Sequence, residues 1–553
     1  MSHPIPPISP LAGLLLLVAA GASAAPPDGS KAVSEAAFRR TVEVLASDEF
    51  AGRKPGQAGE QKTLDYLERE FRALGLKPVG AAGYRQEVPL VEITADPVAV
   101  LTVHSGRGAA ALAYAADMMV WTKRVVPESR LAASPLVFVG HGIVAPEFGW
   151  NDYAGVDMHG KTAVVLVNDP GYRDPALFHG RKMTYYGRWT YKFEEAMRQG
   201  AAAALIVHQT GPAAYGWEVV RNSNNGPQLE EDATDDHLGR IAVEGWLSLS
   251  AAERICALAG KDFPALEQAA TRRGFRAVPL DVEADLTLRN AIRRTRSANV
   301  VGMVRGRTHP DEFIIYTAHW DHFGRQPGAA GEPERIYHGA VDNATGVAGI
   351  MQIANAFVHA GKAPERSLLF MAPTGEEQGL VGSAYYAAHP LVPLARTVAT
   401  INIDEMKPLG RTRDIEVVGF GASDLEDYLK EAAAGQQRVI TPDHEPEKGY
   451  YFRSDHFSLA KRGVPALYSA SGTDSRTQPA GWGAAQVDDF TAHRYHKPTD
   501  TYDAGWDVSG ALEDIQLLYA VGNRVANERR WPAWYPGSEF RAIREQSLKA
   551  ASP

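Results

Sequence analysis

Five residues spread over a third of the chain are all donors to hard or borderline metal ions: His319, Asp342, Glu377, Asp404 and His496. Each closes an apolar run or lies in a turn-rich stretch. Glu376 stands beside Glu377, and such a carboxylate pair after an apolar strand needs nearby positive charge. Two divalent ions sharing one carboxylate would supply it. Their chemistry would be hydrolytic, with Glu377 as ligand and Glu376 free to move a proton as general base.

Each donor has a plain alternative when taken alone. In Ala318-His319-Trp320-Asp321-His322, Asp321 is placed to accept the second ring proton of His319, which would fix its tautomer. His322 competes with His319 as a ligand. In Gly339 to Gly346, Asp342 could simply cap the helix that follows. His496 lies in Tyr495-His496-Lys497-Pro498-Thr499-Asp500-Thr501, and His456 in Arg453-Ser454-Asp455-His456-Phe457 competes for its role. Charge favours two ions over one. Asp342, Glu377, Asp404 and a hydroxide bring four negative charges, the balance for two divalent cations. A mixed His, Asp and Glu set suits zinc better than calcium or magnesium.

These donors require strand ends that meet. Phe313 to Tyr316 runs into His319, Leu368 to Met371 into Glu376-Glu377, and Val398 to Ile401 into Asp404. Helical segments such as Ala344 to His359 separate them. That alternation predicts a mixed, largely parallel α/β sheet whose chemistry gathers beyond the carboxyl ends of its strands. Upstream, Ser34 caps a helix carrying Phe38, Val42 and Leu45. A turn, Gly52-Arg53-Lys54-Pro55-Gly56, leads to a second helix with Leu64, Leu67, Phe71 and Leu74. Residues 84 to 104 read as strands. From about 111 to 285 the texture changes to short β-type runs with no donors at their ends, as expected of a β-rich inserted unit. The donor-bearing part would then be discontinuous, over 33–110 and 286–540.

Composition sets bounds. A chain of 553 residues is expected to hold more than one domain. The net charge of −9, without clustered basic residues, points away from nucleic-acid binding. Residues 1–24 read as a signal peptide, with Leu14 to Leu17 unbroken and Ala22-Ser23-Ala24 as the cleavage site. The expected product is exported, periplasmic or secreted, without stable membrane insertion. Oligomeric state is not legible. Cys256 is the single cysteine, so no intrachain disulfide forms, and its segment reads as a buried helix.

The segments carrying His319, Asp342, Glu376-Glu377, Asp404, Arg453 to Phe457 and Tyr495-His496 together resemble the co-catalytic zinc aminopeptidases, metallopeptidase family 28. Val137 to Asp169 and Gly187 to Lys192 resemble the protease-associated (PA) module often inserted in that family. The resemblance implies two Zn2+ ions, one held by His319, Asp342 and Asp404, the other by Asp342, Glu377 and His496. It implies a peptide substrate that loses its N-terminal residue, metal-bound hydroxide as nucleophile and Glu376 as general base. Tyr495 would stand beside the oxyanion, and a cis peptide would follow Asp342. Two rivals remain: a carboxypeptidase or other amide hydrolase, with Arg453 as carboxylate clamp, or a metal-free, receptor-like binding protein. Tyr450, Tyr451 and Phe452 would line an apolar substrate pocket or pack in the core.

Overall fold

The computed structural model describes residues 28–81, 83–96, 98–326 and 333–550. The signal peptide read over 1–24 lies outside them. Among the described residues no helix is long and apolar enough to cross a membrane.

Two N-terminal helices, α1 (Glu35–Leu45) and α2 (Ala58–Ala73), begin the fold. Ser34 caps α1 through the amide of Ala37, and Phe38, Val42 and Leu45 are buried. The main sheet comprises β1 (Arg85–Ala95), β2 (Val278–Val304), β3 (His309–Thr317), β4 (Arg366–Ala372), β5 (Thr397–Asn402) and β6 (Ala466–Ser471). Their spatial order is β1, β2, β4, β3, β5, β6. The heart, β4-β3-β5-β6, is parallel; β2 runs antiparallel to both β1 and β4. This is the mixed, largely parallel sheet flanked by helices that the strand–helix alternation predicts.

Residues of β4 and β5 are buried throughout, as expected of strands covered on both faces. The helix α3 (Gly346–Val358) crosses from β3 towards β4 and is apolar almost all round, so nearly every residue is buried. The helix α4 (Ser509–Asn527) packs on the same face.

β2 joins two bodies of sheet. Its second half pairs with β1 and β4, while its first half pairs with strands at 100–105 and 128–138. Beyond these lie parallel strands at 162–166, 203–207 and 243–247. They are covered on their two faces by separate apolar clusters, one of which contains Cys256. The unit returns to the main body through Leu177, Met183, Tyr185 and Tyr191, which pack with Tyr451, Phe452, Phe457 and Phe540.

One close approach fixes α4 against the sheet. A Cβ on Gly522 would lie 1.6 Å from the Tyr316 hydroxyl. Tyr316 cannot move aside easily, because its ring stacks on Phe370 at 5.4 Å and its hydroxyl donates to Leu518 O at 2.9 Å. Gly522→Ala is therefore expected to cost about 1–3 kcal/mol through overpacking. Denaturant unfolding of the variant beside the parent measures it.

Candidate metal centre

Sheet register brings the donors together. Thr317 pairs with Met371 on one side and Asn402 on the other, and Asn402 pairs with Tyr468. His319 and Asp404 each lie two residues beyond that row, at the carboxyl ends of neighbouring parallel strands. Glu376 and Glu377 follow β4 through Gly375, which has a left-handed backbone at φ 66°.

Asp342 sits in the irregular turn Ala340–Thr345, and the Asp342–Asn343 peptide bond is cis. Its carboxylate does not cap α3. The Asn343 side chain takes that place, accepting from Gly346 N at 3.0 Å, donating to Ile403 O at 3.0 Å and accepting from Glu405 N at 3.2 Å. Asn343 thus ties the Asp342 turn to the Asp404 loop. From the other side Asp500 accepts the amides of Val341 and Asp342 at 3.0–3.1 Å.

The two Asp342 oxygens face different partners. Oδ1 lies 3.3 Å from His319 Nε2, which is also 3.3 Å from Asp404 Oδ1. Oδ2 lies 3.1 Å from His496 Nε2, which is 3.2 Å from Glu377 Oε2. Donors about 2.0–2.1 Å from a tetrahedral zinc stand about 3.3 Å from one another. In both sets the imidazole nitrogen stands at about that spacing from its two carboxylate oxygens, so the residues fit the ion. Glu376 Oε2 approaches the centre at 4.0 Å from His319 Nε2.

The two competing histidines separate on geometry. His322 also groups with Asp342 and Glu377, but its Nδ1 is 2.5 Å from Glu377 Oε1. That is a hydrogen-bond distance, too short for two donors of one tetrahedral shell. His456 is buried between Tyr451 and Tyr468, with ring centroids 4.6 and 5.0 Å away, and neither of its ring nitrogens has a hydrogen-bond partner among the described residues.

Asp321 differs from the expected arrangement. Its carboxylate is 3.8 Å from His319 Nδ1, whereas its main-chain carbonyl is 3.2 Å away. The carboxylate instead accepts the Glu376 amide at 3.1 Å. A fully buried carboxylate needs a donor, and the loop carrying Glu376 provides one. Tyr495 stacks on His496 with centroids 3.7 Å apart. Arg453 lies over the Tyr450 ring and donates to Lys448 O, while Tyr451 and Phe452 are core residues.

The electrostatics are those of a pocket short of positive charge. Burial, joined by the Asp404, Asp455 and Asp342 charges, pushes Glu376 well above the usual carboxylate range. Burial and the neighbouring Asp342 and Glu376 charges do the same to Glu377. Burial opposes charge on His319, but Glu376 and Asp404 outweigh it and hold its pKa well above the ordinary value. Burial also opposes charge on Asp342, yet His319 and His496 keep it ionised, well below the ordinary value. Burial, joined by the His496, Arg53 and His319 charges, holds His322 well below its ordinary value, as a neutral ring. Asp321 is pushed up to about 6, and Asp455 and Asp500 to about 7, each mainly by burial. Asp455 and Asp500 were not singled out as functional in the sequence; the only signal was an Asp near a candidate His in each motif.

Residues 299–520, the part that bears the whole centre, match the family model "Peptidase family M28". The chain is 30% identical over 168 residues to mouse "Aminopeptidase NAALADL1", covering 28% of this chain and 21% of that protein. It is 22% identical over 302 residues to the "Glutamate carboxypeptidase 2 homolog" of Caenorhabditis elegans, covering 49% and 37%. The matched stretches thus span well under half the length of these relatives. A solved "Aminopeptidase from Aneurinibacillus sp. strain AM-1" aligns with a TM-score of 0.48 at 19% identity, covering 90% of this chain and 95% of that one. The match to peptidase family M28 thus lies over the strands and turns that carry every donor, and it is this part of the chain that is similar to the family.

Proposed function

We propose that this protein is a two-zinc exopeptidase that removes N-terminal residues from peptides. The observation that carries the reading is Asp342, whose two oxygens each meet a separate set of donors at zinc-like spacing. On this reading His319, Asp342 and Asp404 hold one ion, and Asp342, Glu377 and His496 the other. His322 donates to Glu377 from outside and orients it. Zinc bound there would acidify a water molecule and polarise the scissile carbonyl.

The chain's own groups do the rest. Glu376 faces the centre without a hydrogen-bonded cation, so it is free to take a proton from the attacking water and deliver it to the departing amine. The Asp321 bond to its amide holds the backbone from which it reaches. Bound cations would lower the raised Glu376 pKa towards the working range of a base. Tyr495 stacked on His496 is positioned to donate to the oxyanion. Asp404 and Glu376, with side chains 14% and 11% exposed, are less covered than Asp342 and Glu377 and would meet a substrate ammonium group. The unit read over 111–285 is, on the same proposal, a protease-associated insertion.

A second reading, removal of C-terminal residues, has one observation in its favour. Arg453 Nε is buried without a hydrogen-bond partner and could pair with a substrate carboxylate.

Three outcomes test the proposal. Glu376→Gln is expected to keep two zinc ions by elemental analysis while losing at least about a hundredfold in kcat; Asp342→Asn should lose metal and activity together. An amino-acid anilide should be turned over and an N-blocked peptide left intact; cleavage of the blocked peptide from its C-terminus would favour the second reading. The third outcome concerns pH. Asp455 is raised from about 3.9 in an unfolded chain to about 7 when folded. Its contribution is fully present below the unfolded value and is lost as pH rises through the folded one. In zinc-stripped protein, Asp455→Asn should gain thermal stability over the parent between pH 5 and pH 8. An equal difference at both pH values would contradict this.

A further inference from the structure

Arg53 is among the largest fully buried side chains of the protein, yet it faces no carboxylate at bonding distance. Its guanidinium spends four of its five N–H groups on main-chain carbonyls. Nε donates to Trp320 O at 2.8 Å, Nη1 to Leu45 O and His338 O at 2.6 Å each, and Nη2 to Gly339 O at 2.9 Å. Trp320 lies between His319 and Asp321. His338 and Gly339 enter the turn that carries Asp342. Leu45 ends α1. One planar cation therefore ties both donor-bearing loops to the N-terminal helix.

The backbone is built to deliver it. Ala51, Gly52 and Arg53 are all left-handed, at φ 50°, 70° and 52°. A Cβ on Gly52 would lie 2.4 Å from Tyr337 O, so this turn packs directly on the loop it braces. Asp500 holds the same loop from its far side. The charge is also of the right sign, because Asp500, Asp342, Asp321 and Glu377 surround it.

We propose that Arg53 is a positioning residue of the metal centre, a brace that sets the spacing of the His319 and Asp342 loops before any ion binds. It touches neither substrate nor metal. Lysine cannot replace it, since one nitrogen with three donors cannot span carbonyls on three segments. The proposal rests on reading the centre as zinc-binding, and its test separates the two.

Arg53→Lys and Arg53→Met are prepared with zinc and compared with the parent by chelator competition and steady-state kinetics. Zinc affinity is expected to fall about 10–100-fold. The expected kcat is also lower by at least about tenfold, with KM within about twofold, and the lysine variant lies between. Folded variants with parental zinc affinity and kcat overturn the proposal. Should neither variant fold, hydrogen exchange on the parent stripped of metal decides. Amides at 318–322 and 338–342 should stay protected while those at 494–497, which the brace does not reach, open. Equal loss of protection in all three overturns it. A parent that binds no zinc refutes the metal reading instead, and the exchange measurement still decides the brace.

Discussion

Everything in this candidate centre answers one constraint: several carboxylates are buried together at the end of a sheet, with little exposure to solvent. Asp321 and Asp455 are fully buried, and Asp342 and Asp500 nearly so, with Glu376 and Glu377 beside them. Such a cluster is tolerable only if each oxygen has a donor or a cation. The protein answers piecewise. Backbone amides serve Asp321 Oδ1 and Asp500, histidines face Asp342, His322 serves Glu377 and the Arg53 guanidinium stands behind them. Asp321 Oδ2 and both Asp455 oxygens are left without a hydrogen-bond partner among the described residues, beside the carboxylates of the two zinc-spaced donor sets, so the demand for cations is concentrated around the place where the chemistry would occur.

Parallel pairing is what makes the concentration possible. Because β3, β4 and β5 run the same way, their carboxyl ends open at one edge, and a shared register row puts His319 and Asp404 level with each other. Glu377 follows β4, and the other two donors come from turns rather than strands. Asp342 depends on the Asn343 and Asp500 clasps, and His496 depends on a loop with a left-handed residue at its own position, φ 56°. Strand ends thus supply three of the donors and tethered turns the other two. The appended sheet touches this region through an aromatic cluster around Tyr185 and Phe457, which buttresses the 450–457 segment beside Asp455.

The residues that escaped a reading of the sequence share a physical character. Arg53 reads as one more basic residue in a glycine turn, because its partners are carbonyls, and carbonyl acceptors carry no side-chain signature. Asp455 and Asp500 look like ordinary loop acids; their meaning comes from burial. The Asp321 contact shows the same limit from another side. An Asp two residues after a His is a sound reason to expect a carboxylate–imidazole bond, but a nearby unsatisfied amide, that of Glu376, claims the carboxylate first.

Donor identity, the strand–helix rhythm and the excess of acids over bases at strand ends are properties of residue type and spacing. They determined, without coordinates, that this chain folds as an α/β sheet with a candidate centre for hard cations at its edge. The chain alone left His322 competing with His319, and His456 with His496. Those choices depend on distances between segments far apart in sequence, set by sheet register and by turns whose geometry is held through main-chain hydrogen bonds. Only the folded chain decides them, because a side chain's role as ligand, brace or packing depends on what surrounds it.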